Sequence, residues 1–592
     1  MEHMGNTWSR VLLAATAIAT ALPTAAVAAP PPSGVVERVE TPWVSNAAAD
    51  VPRWAGVTQS EVRLKVPLSA KYPAHPAECD WITYLRFRSA DGPSDPQQAD
   101  AVYVGMPGIF EGASAFDIIG RNIVSEARSR GRHVEVWGVD RRSNCLEDRT
   151  GIEAAKTARD ARVAMDYYFR GREIGGRRFE DFRGTVPSTF RIDLHGKDAF
   201  QRQLGLEQTL LDYYAVIADG FPDPAQRTKK VVCGGHSLGG ILTGLFAAWD
   251  FDGDRRTTAD AGVNQCAGFI AVDTFAVSRA DRTLVPALSG VTRPFGRLAP
   301  GMESLIELPV INPEIMAILT GAAGNAYFNG DEESSLQREI PRTPRVREAL
   351  RILFSRDLMH YVRSGRPDLT DLRLTSEAIF GLMLDDNSYN FSSIAQVSMG
   401  FPSGGPLAPK HFPLPNQLSL IPALRPLTGN LLGGGRLVVP TAPRTADGGG
   451  PLYGWHRLGS VPTNRYTNPA REFADLRQVA RAFHEPPADF VEYYFPTKLA
   501  YESSTALLGL RPGALGRHLL HDDAAFRLPG LNLLAGEGPA RVASGVRHPG
   551  RTVLLPAYKH IDPLTASPAQ ADGSAERSMV EATDFLLEVA DG

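Results

Sequence analysis

Apolar and polar residues alternate along "EVRLKVPL" from Glu61 and "WITYLRFRSA" from Trp81, the period of strands with one covered face. Short apolar runs follow: "AVYVGMPG" from Ala101, "VEVWGVD" from Val134, "KKVVCGG" from Lys229 and "AGFIAVDTF" from Ala267. Runs of this kind suit strands buried on both faces. Between the second and third of them, "GIEAAKTARDARVAMDYYFRG" and "QRQLGLEQTLLDYYAVIADG" carry apolar residues at helical spacing, and "LGGILTGLFAAW" predicts a helix directly after Ser237. Strands that alternate with helices predict an α/β fold, a mostly parallel sheet with helices on both faces.

The alternation breaks after about Phe275. From there to about Leu528, "RVREALRILFSRDLMHYVRS" and "NPAREFADLRQVARAF" predict helices on either side of a Pro/Gly-rich tract over 401–450, and no repeat period suggests a solenoid. Strand signals return in "LPGLNLLAGEG" and "RTVLLPAY", and "RSMVEATDFLLEVA" predicts a closing amphipathic helix. The sheet therefore begins before the irregular section and ends after it. This predicts an α/β core in two parts, 61–275 and 528–592, interrupted over 276–527 by a mainly helical cap or lid. Residues 29–60, rich in proline, alanine and valine, predict an exposed lead-in.

The first residues place Arg10 before an apolar run from Val11 to Leu22, then small residues ending Ala26-Val27-Ala28. That order predicts a signal peptide over 1–28. The run is shorter than the roughly 20 residues that span a bilayer, so a secreted, soluble mature chain without a transmembrane segment is expected. A net charge of −4 gives no electrostatic footprint for a nucleic-acid partner. Of the four cysteines in an exported chain, Cys79 and Cys145 lie in polar settings and form the better candidate pair. Cys233 and Cys266 border apolar runs and read as buried free thiols.

Candidate chemistry concentrates in "VVCGGHSLGGILTG", Val231 to Gly244. A serine hydroxyl needs a base beside it and a site for the oxyanion that its attack creates. Gly235 and Gly239 permit a tight strand-to-helix turn with Ser237 at its apex, held at a helix N-terminus whose amides favour negative charge. Side chains adjacent on such a turn diverge, so His236 reads as a packing residue and the base must come from elsewhere. With its flanking strand and helix, "GHSLGG" resembles the nucleophile elbow of the α/β-hydrolase superfamily, in its lipase and esterase branch. The resemblance covers about 100–275 and 525–592.

That resemblance implies Ser237 as nucleophile and a chain order of serine, acid, histidine. His560 in "KHIDPLTA" then becomes the general base, with His518, His521 and His548 as late alternatives. Glu537 follows the penultimate strand, where the superfamily usually places the acid. Asp273, at the end of the strand after the elbow, is the alternative that some lipases use. Asp562 reads as a residue that fixes the histidine loop. The oxyanion hole would combine the amide of Leu238 with that of Ile109 or Phe110, in a loop carrying Pro107-Gly108 where relatives often carry His-Gly.

The implied activity is an exported serine hydrolase of carboxylic esters, small or polymeric, acting through an acyl-enzyme without a cofactor. A peptidase or acyltransferase on the same scaffold, or a secreted binding protein without catalysis, are the alternatives. Segments such as "AIFGLMLDD" and "DFVEYYFPTKLAYESS" could line an apolar cleft over Ser237. Asp250, Asp252, Asp254 and Asp260 resemble part of a calcium loop, although a turn capped by its own carboxylates is the commoner outcome. Nothing in the sequence fixes an oligomeric state.

Overall fold

The computed structural model describes residues 34–180, 182, 199–280, 309–388, 393–412, 436–543 and 547–592. The expected signal peptide, 1–28, lies outside them. Among the described residues nine strands form one sheet: β1 (Glu37–Pro42), β2 (Val57–Lys65), β3 (Trp81–Ser89), β4 (Ala101–Met106), β5 (Val134–Val139), β6 (Val231–His236), β7 (Gly268–Val272), β8 (Gly530–Ala535) and β9 (Arg551–Leu555). Their spatial order is β1-β2-β3-β5-β4-β6-β7-β8-β9. Neighbours from β5 to β9 are parallel, whereas β1, β2 and β3 join antiparallel to one another and to β5. The four apolar runs that read as fully covered strands become β4 to β7, and every residue of β4 to β8 is buried. The outer strands β1 and β9 keep exposed, partly charged positions, which blunts both sheet edges.

Helices cover both faces. Side chains of consecutive strand residues point to opposite faces. On β5, Val136 packs against Gly120 of α1 (Asp117–Ser129), while the adjacent Trp137 packs against Gly220 of the 15-residue helix Leu206–Gly220. These two helices therefore lie on opposite sides. The helical run after Thr150 is two helices rather than one, α2 (Thr150–Ala158) and α3 (Arg162–Arg170), because Arg159 takes a left-handed φ of 52° between them. Leu206–Gly220 becomes α4, the helix that leaves Ser237 is α5 (Leu238–Ala248), and α11 (Arg577–Asp591) closes the chain against α1.

The lead-in differs from expectation. Glu37–Pro42 is a sheet strand, because Glu40 is paired with the guanidinium of Arg86 at 3.1 Å and accepts from Ser60 Oγ at 2.6 Å. Trp54 is buried and donates to Asn122 at 3.0 Å. The β-branched valines of "VVERVE" carried that signal, and the proline-rich setting obscured it.

Between β7 and β8 the described chain is mainly helical: α6 (Pro313–Asn329), α7 (Pro344–Phe354), α8 (Ser376–Leu384), α9 (Leu476–His484) and α10 (Thr497–Leu507). Almost every residue of α6 is buried, and α8 and α9 pack on it, so it is the core of this inserted part. The described portions of the Pro/Gly-rich tract include short strands. Phe401–Ser403 pairs with Leu452–His456, and Leu407–Pro409 with Val438–Pro440. The inserted chain is bound to the core by a fully buried ion pair between Arg481 of α9 and Asp117 of α1. Among the described residues no helix is long and apolar enough to cross a membrane.

Cys79 and Cys145 form a disulfide. So do Cys233 and Cys266, contrary to the reading of both as free thiols. Cys233 lies in β6 and Cys266 just before β7, and pairing of these two strands brings the Cα atoms to 5.7 Å.

Candidate active site

β4 pairs with β5 on one side and with β6 on the other, so the chain direction across the sheet switches between β4 and β6. A crevice opens beyond the carboxyl ends of the strands at such a point. Ser237 stands there, between the last residue of β6 and the first of α5, with φ 51° and ψ −119°. That conformation costs a non-glycine residue about 1–3 kcal/mol. It is held by the Ser237 amide donating to Val272 O at 2.9 Å and by close packing beneath the turn. A Cβ on Gly239 would lie 1.9 Å from Met106 O, so only glycine lets the elbow sit against the end of β4. Among the described residues five non-glycine residues have positive φ, and three of them, Phe110, Ser237 and Asp273, belong to this site.

His560 is buried on the loop after β9, and its Nδ1 lies 2.5 Å from Asp273 Oδ2. The other oxygen of Asp273 accepts from the Ala535 amide at 3.0 Å, which fixes the carboxylate across the ends of β7 and β8. Glu537, the acid favoured from sequence, is not on His560. Its carboxylate is taken by Lys559 at 2.6 Å, by Arg471 at 2.9 Å and by Arg436. Burial opposes its charge, but these cations hold its carboxyl below the usual range. Its neighbour Gly538 faces Asp273 instead, since a Cβ there would lie 2.1 Å from Asp273 Oδ2.

The other histidines are engaged elsewhere. His518 Nδ1 meets Asp250 O at 2.8 Å, His521 Nε2 meets Asp250 Oδ2 at 2.7 Å, and His548 stacks on Phe275. Asp562 does fix the histidine loop, accepting from the Lys559 amide at 2.6 Å and from Ser398 N and Oγ of the inserted chain at 2.7 and 2.8 Å.

A Cβ on Gly108 would be 3.0 Å from Ser237 Cβ, so the loop after β4 runs directly past the serine. Arg141 clamps this loop by donating to Pro107 O at 2.5 Å and Gly108 O at 2.6 Å. In a trans peptide the N–H points opposite to the C=O. The Gly108 and Ile109 amides are therefore turned away from Arg141. The Gly108 amide donates to Glu111 Oε2 at 2.6 Å. Among the described residues the amides of Ile109, Phe110 and Leu238 have no hydrogen-bond acceptor.

His236 is buried beside the serine and links three parts of the site. Its Nδ1 lies 2.9 Å from Glu111 Oε2, its Nε2 meets His560 O at 2.9 Å, and its ring lies 4.4 Å from that of His560. Burial disfavours charge on both partners, yet their mutual attraction wins. The Glu111 carboxyl is held below its usual range and the His236 imidazolium above its own. For His560, burial first and the neighbouring His236 next outweigh the pull of Asp273, so it protonates below the ordinary histidine value. Sequence reasoning missed Arg141 and Glu111, because a charged residue in a short loop carries no mark of burial.

An apolar cavity lies between this loop and the inserted helices, with Ile109, Phe110, Ile315, Met383, Phe483 and Ile561 in its walls. Of the acidic turn after α5, Asp250, Asp252 and Asp260 bring carboxylate oxygens within 4.8 Å of one another. Asp254 is held by the backbone and side chain of Arg256.

No family model and no curated protein sequence matches the chain. Solved structures to which the chain shows similarity include esterase E22 (TM-score 0.30, 10% identity, 90% of this chain and 100% of that one). A lipase in its open form gives 0.27 and 11% over 94% and 100%. Epoxide hydrolase A from Mycobacterium thermoresistibile gives 0.27 and 11% over 80% and 88%. The large, mostly parallel sheet flanked by helices is an α/β-hydrolase fold.

Proposed function

We propose that the chain is an exported serine hydrolase of carboxylic esters with an apolar acyl or alkyl group, working through an acyl-enzyme on Ser237. The observation that carries this reading is the strained serine at a helix N-terminus whose amide is bonded to Val272 O, next in chain to the buried Asp273 that His560 Nδ1 meets. With Nδ1–H directed at Asp273, Nε2 of His560 keeps its lone pair. Ser237 Oγ attacks the ester carbonyl carbon while His560 Nε2 takes its proton, and the oxyanion is met by the amides of Leu238 and of Ile109 or Phe110. The clamp of Arg141 on Gly108 O favours Ile109. The C–O bond to the alcohol breaks as His560 returns the proton to the leaving oxygen. Water then opens the acyl-enzyme by the same proton route, and no cofactor enters.

The apolar cavity beside the oxyanion amides supports a hydrocarbon chain as the group bound. Two disulfides support an oxidising destination, in keeping with the leader-like first 28 residues. A fluorophosphonate probe followed by peptide mapping tests the reading: one adduct, on Ser237, is expected, together with turnover of p-nitrophenyl esters that rises with acyl length. Folded protein that takes up no probe and turns over no ester would end it.

The state of His560 also sets a pH profile. A base must be unprotonated to act, and its protonation lies below the ordinary value of about 6.5. The acid limb of kcat/KM is therefore expected to have an apparent pKa below 6.5, with activity rising with pH through it to a plateau. A limb above 7 would exclude His560 as the base.

A further inference from the structure

Away from the serine, the inserted chain meets the histidine loop at a cluster of buried carboxylates. Oxygens of Asp385, Asp386 and Glu472 lie within 4.8 Å of one another, and all three residues are buried. This is about the span that two ligand oxygens of one calcium ion can have. Asp385 is the C-cap of α8, so the negative end of that helix adds to the local charge. Asp385 accepts from the amides of Asn387 and Met399, and Glu472 from that of Gly400 at 2.8 Å and from Thr467. Each of these oxygens keeps a second lone pair.

A separate observation points to a ligand. Asp386 is 3% exposed, yet its Oδ1 has no hydrogen-bond partner among the described residues, and Asn387 Oδ1 beside it is in the same position. A buried, unpartnered carboxylate oxygen is costly, and such groups call for an explanation.

The surrounding charges do not balance. Facing the cluster are the carboxylates of Asp562 and Glu537 and the cations Lys559, Arg436 and Arg471. With Asp385, Asp386 and Glu472 this gives five acids to three bases, a deficit of two positive charges. A divalent ion would fill it, because hard oxygen donors of this kind suit Ca²⁺.

We infer that Asp385, Asp386 and Glu472 form a Ca²⁺ site that pins the inserted chain against the histidine loop. The inference is independent of the hydrolase reading.

The test is Ca²⁺ titration of the chelator-treated full chain, by calorimetry and by thermal melting. Binding with a rise in Tm and at least tenfold weaker binding in Asp386→Asn are the expected results. Asp386→Asn removes a charge from a like-charged cluster and should fold. Asp252→Asn, in the other acidic turn, should bind as the wild type does. Absence of Ca²⁺ binding at millimolar concentration, binding unaffected by Asp386→Asn, or binding lost in Asp252→Asn instead would each overturn the inference.

Discussion

Ser237→Ala is expected to lower kcat on an activated ester about 10⁵-fold or more, leaving the residual rate that oriented amides and binding supply without a nucleophile. Stability should barely move, since alanine at φ 51° carries the same backbone strain as serine. Ser237→Gly separates the two quantities. It removes the nucleophile but relieves the strain, so it should be as inactive as Ser237→Ala and more stable by about 1 kcal/mol. Purified Ser237→Ala that kept more than a hundredth of the wild-type rate would mean that catalysis resides elsewhere. A destabilised Ser237→Gly would mean that the elbow stores no strain.

The second large effect distinguishes the two acids. Asp273→Asn should lower kcat by about 10⁴-fold with the fold intact. An amide can present its N–H₂ to Nδ1, which shifts the imidazole proton to Nε2 and leaves His560 without the lone pair that accepts the serine proton. Glu537→Gln should change kcat by less than about tenfold, because its carboxylate serves Lys559, Arg436 and Arg471 at the rim of the buried cluster. Its cost should appear in thermal stability. Steady-state kinetics with melting curves on both variants suffices, and the opposite ranking in kcat would restore Glu537 as the orienting acid.

The contrast between these two residues also marks how far the sequence could be read. Strands β4 to β8, the helix after Ser237 and the elbow itself are encoded locally, in apolar runs and in glycines two positions either side of a serine. Both were legible. The acid was not, since Asp273 and Glu537 each end a strand beside the crevice and only the tertiary arrangement decides which one His560 Nδ1 meets. Cys233 and Cys266 read as thiols because an apolar strand masks a cysteine that its neighbour strand will meet. Arg141, in "DRRSN", looks like any solvated loop arginine. Its place over the carbonyls of Pro107 and Gly108 depends on β4 and β5 lying side by side.

The clasp of Ser398 on Asp562 bears on how such a protein can be altered. Phe473 packs against Tyr558 with ring centroids 4.0 Å apart, and Arg481 reaches Asp117 at the start of α1. A roof that merely covers a crevice can be exchanged between relatives like a fitting. Here the inserted residues are masonry in the wall that carries His560, so chimeras that transplant the sheet without them should lose the alignment of the histidine along with the shelter. Diversification of what the crevice admits is then confined to the side chains facing the apolar cavity, where change leaves the wall standing.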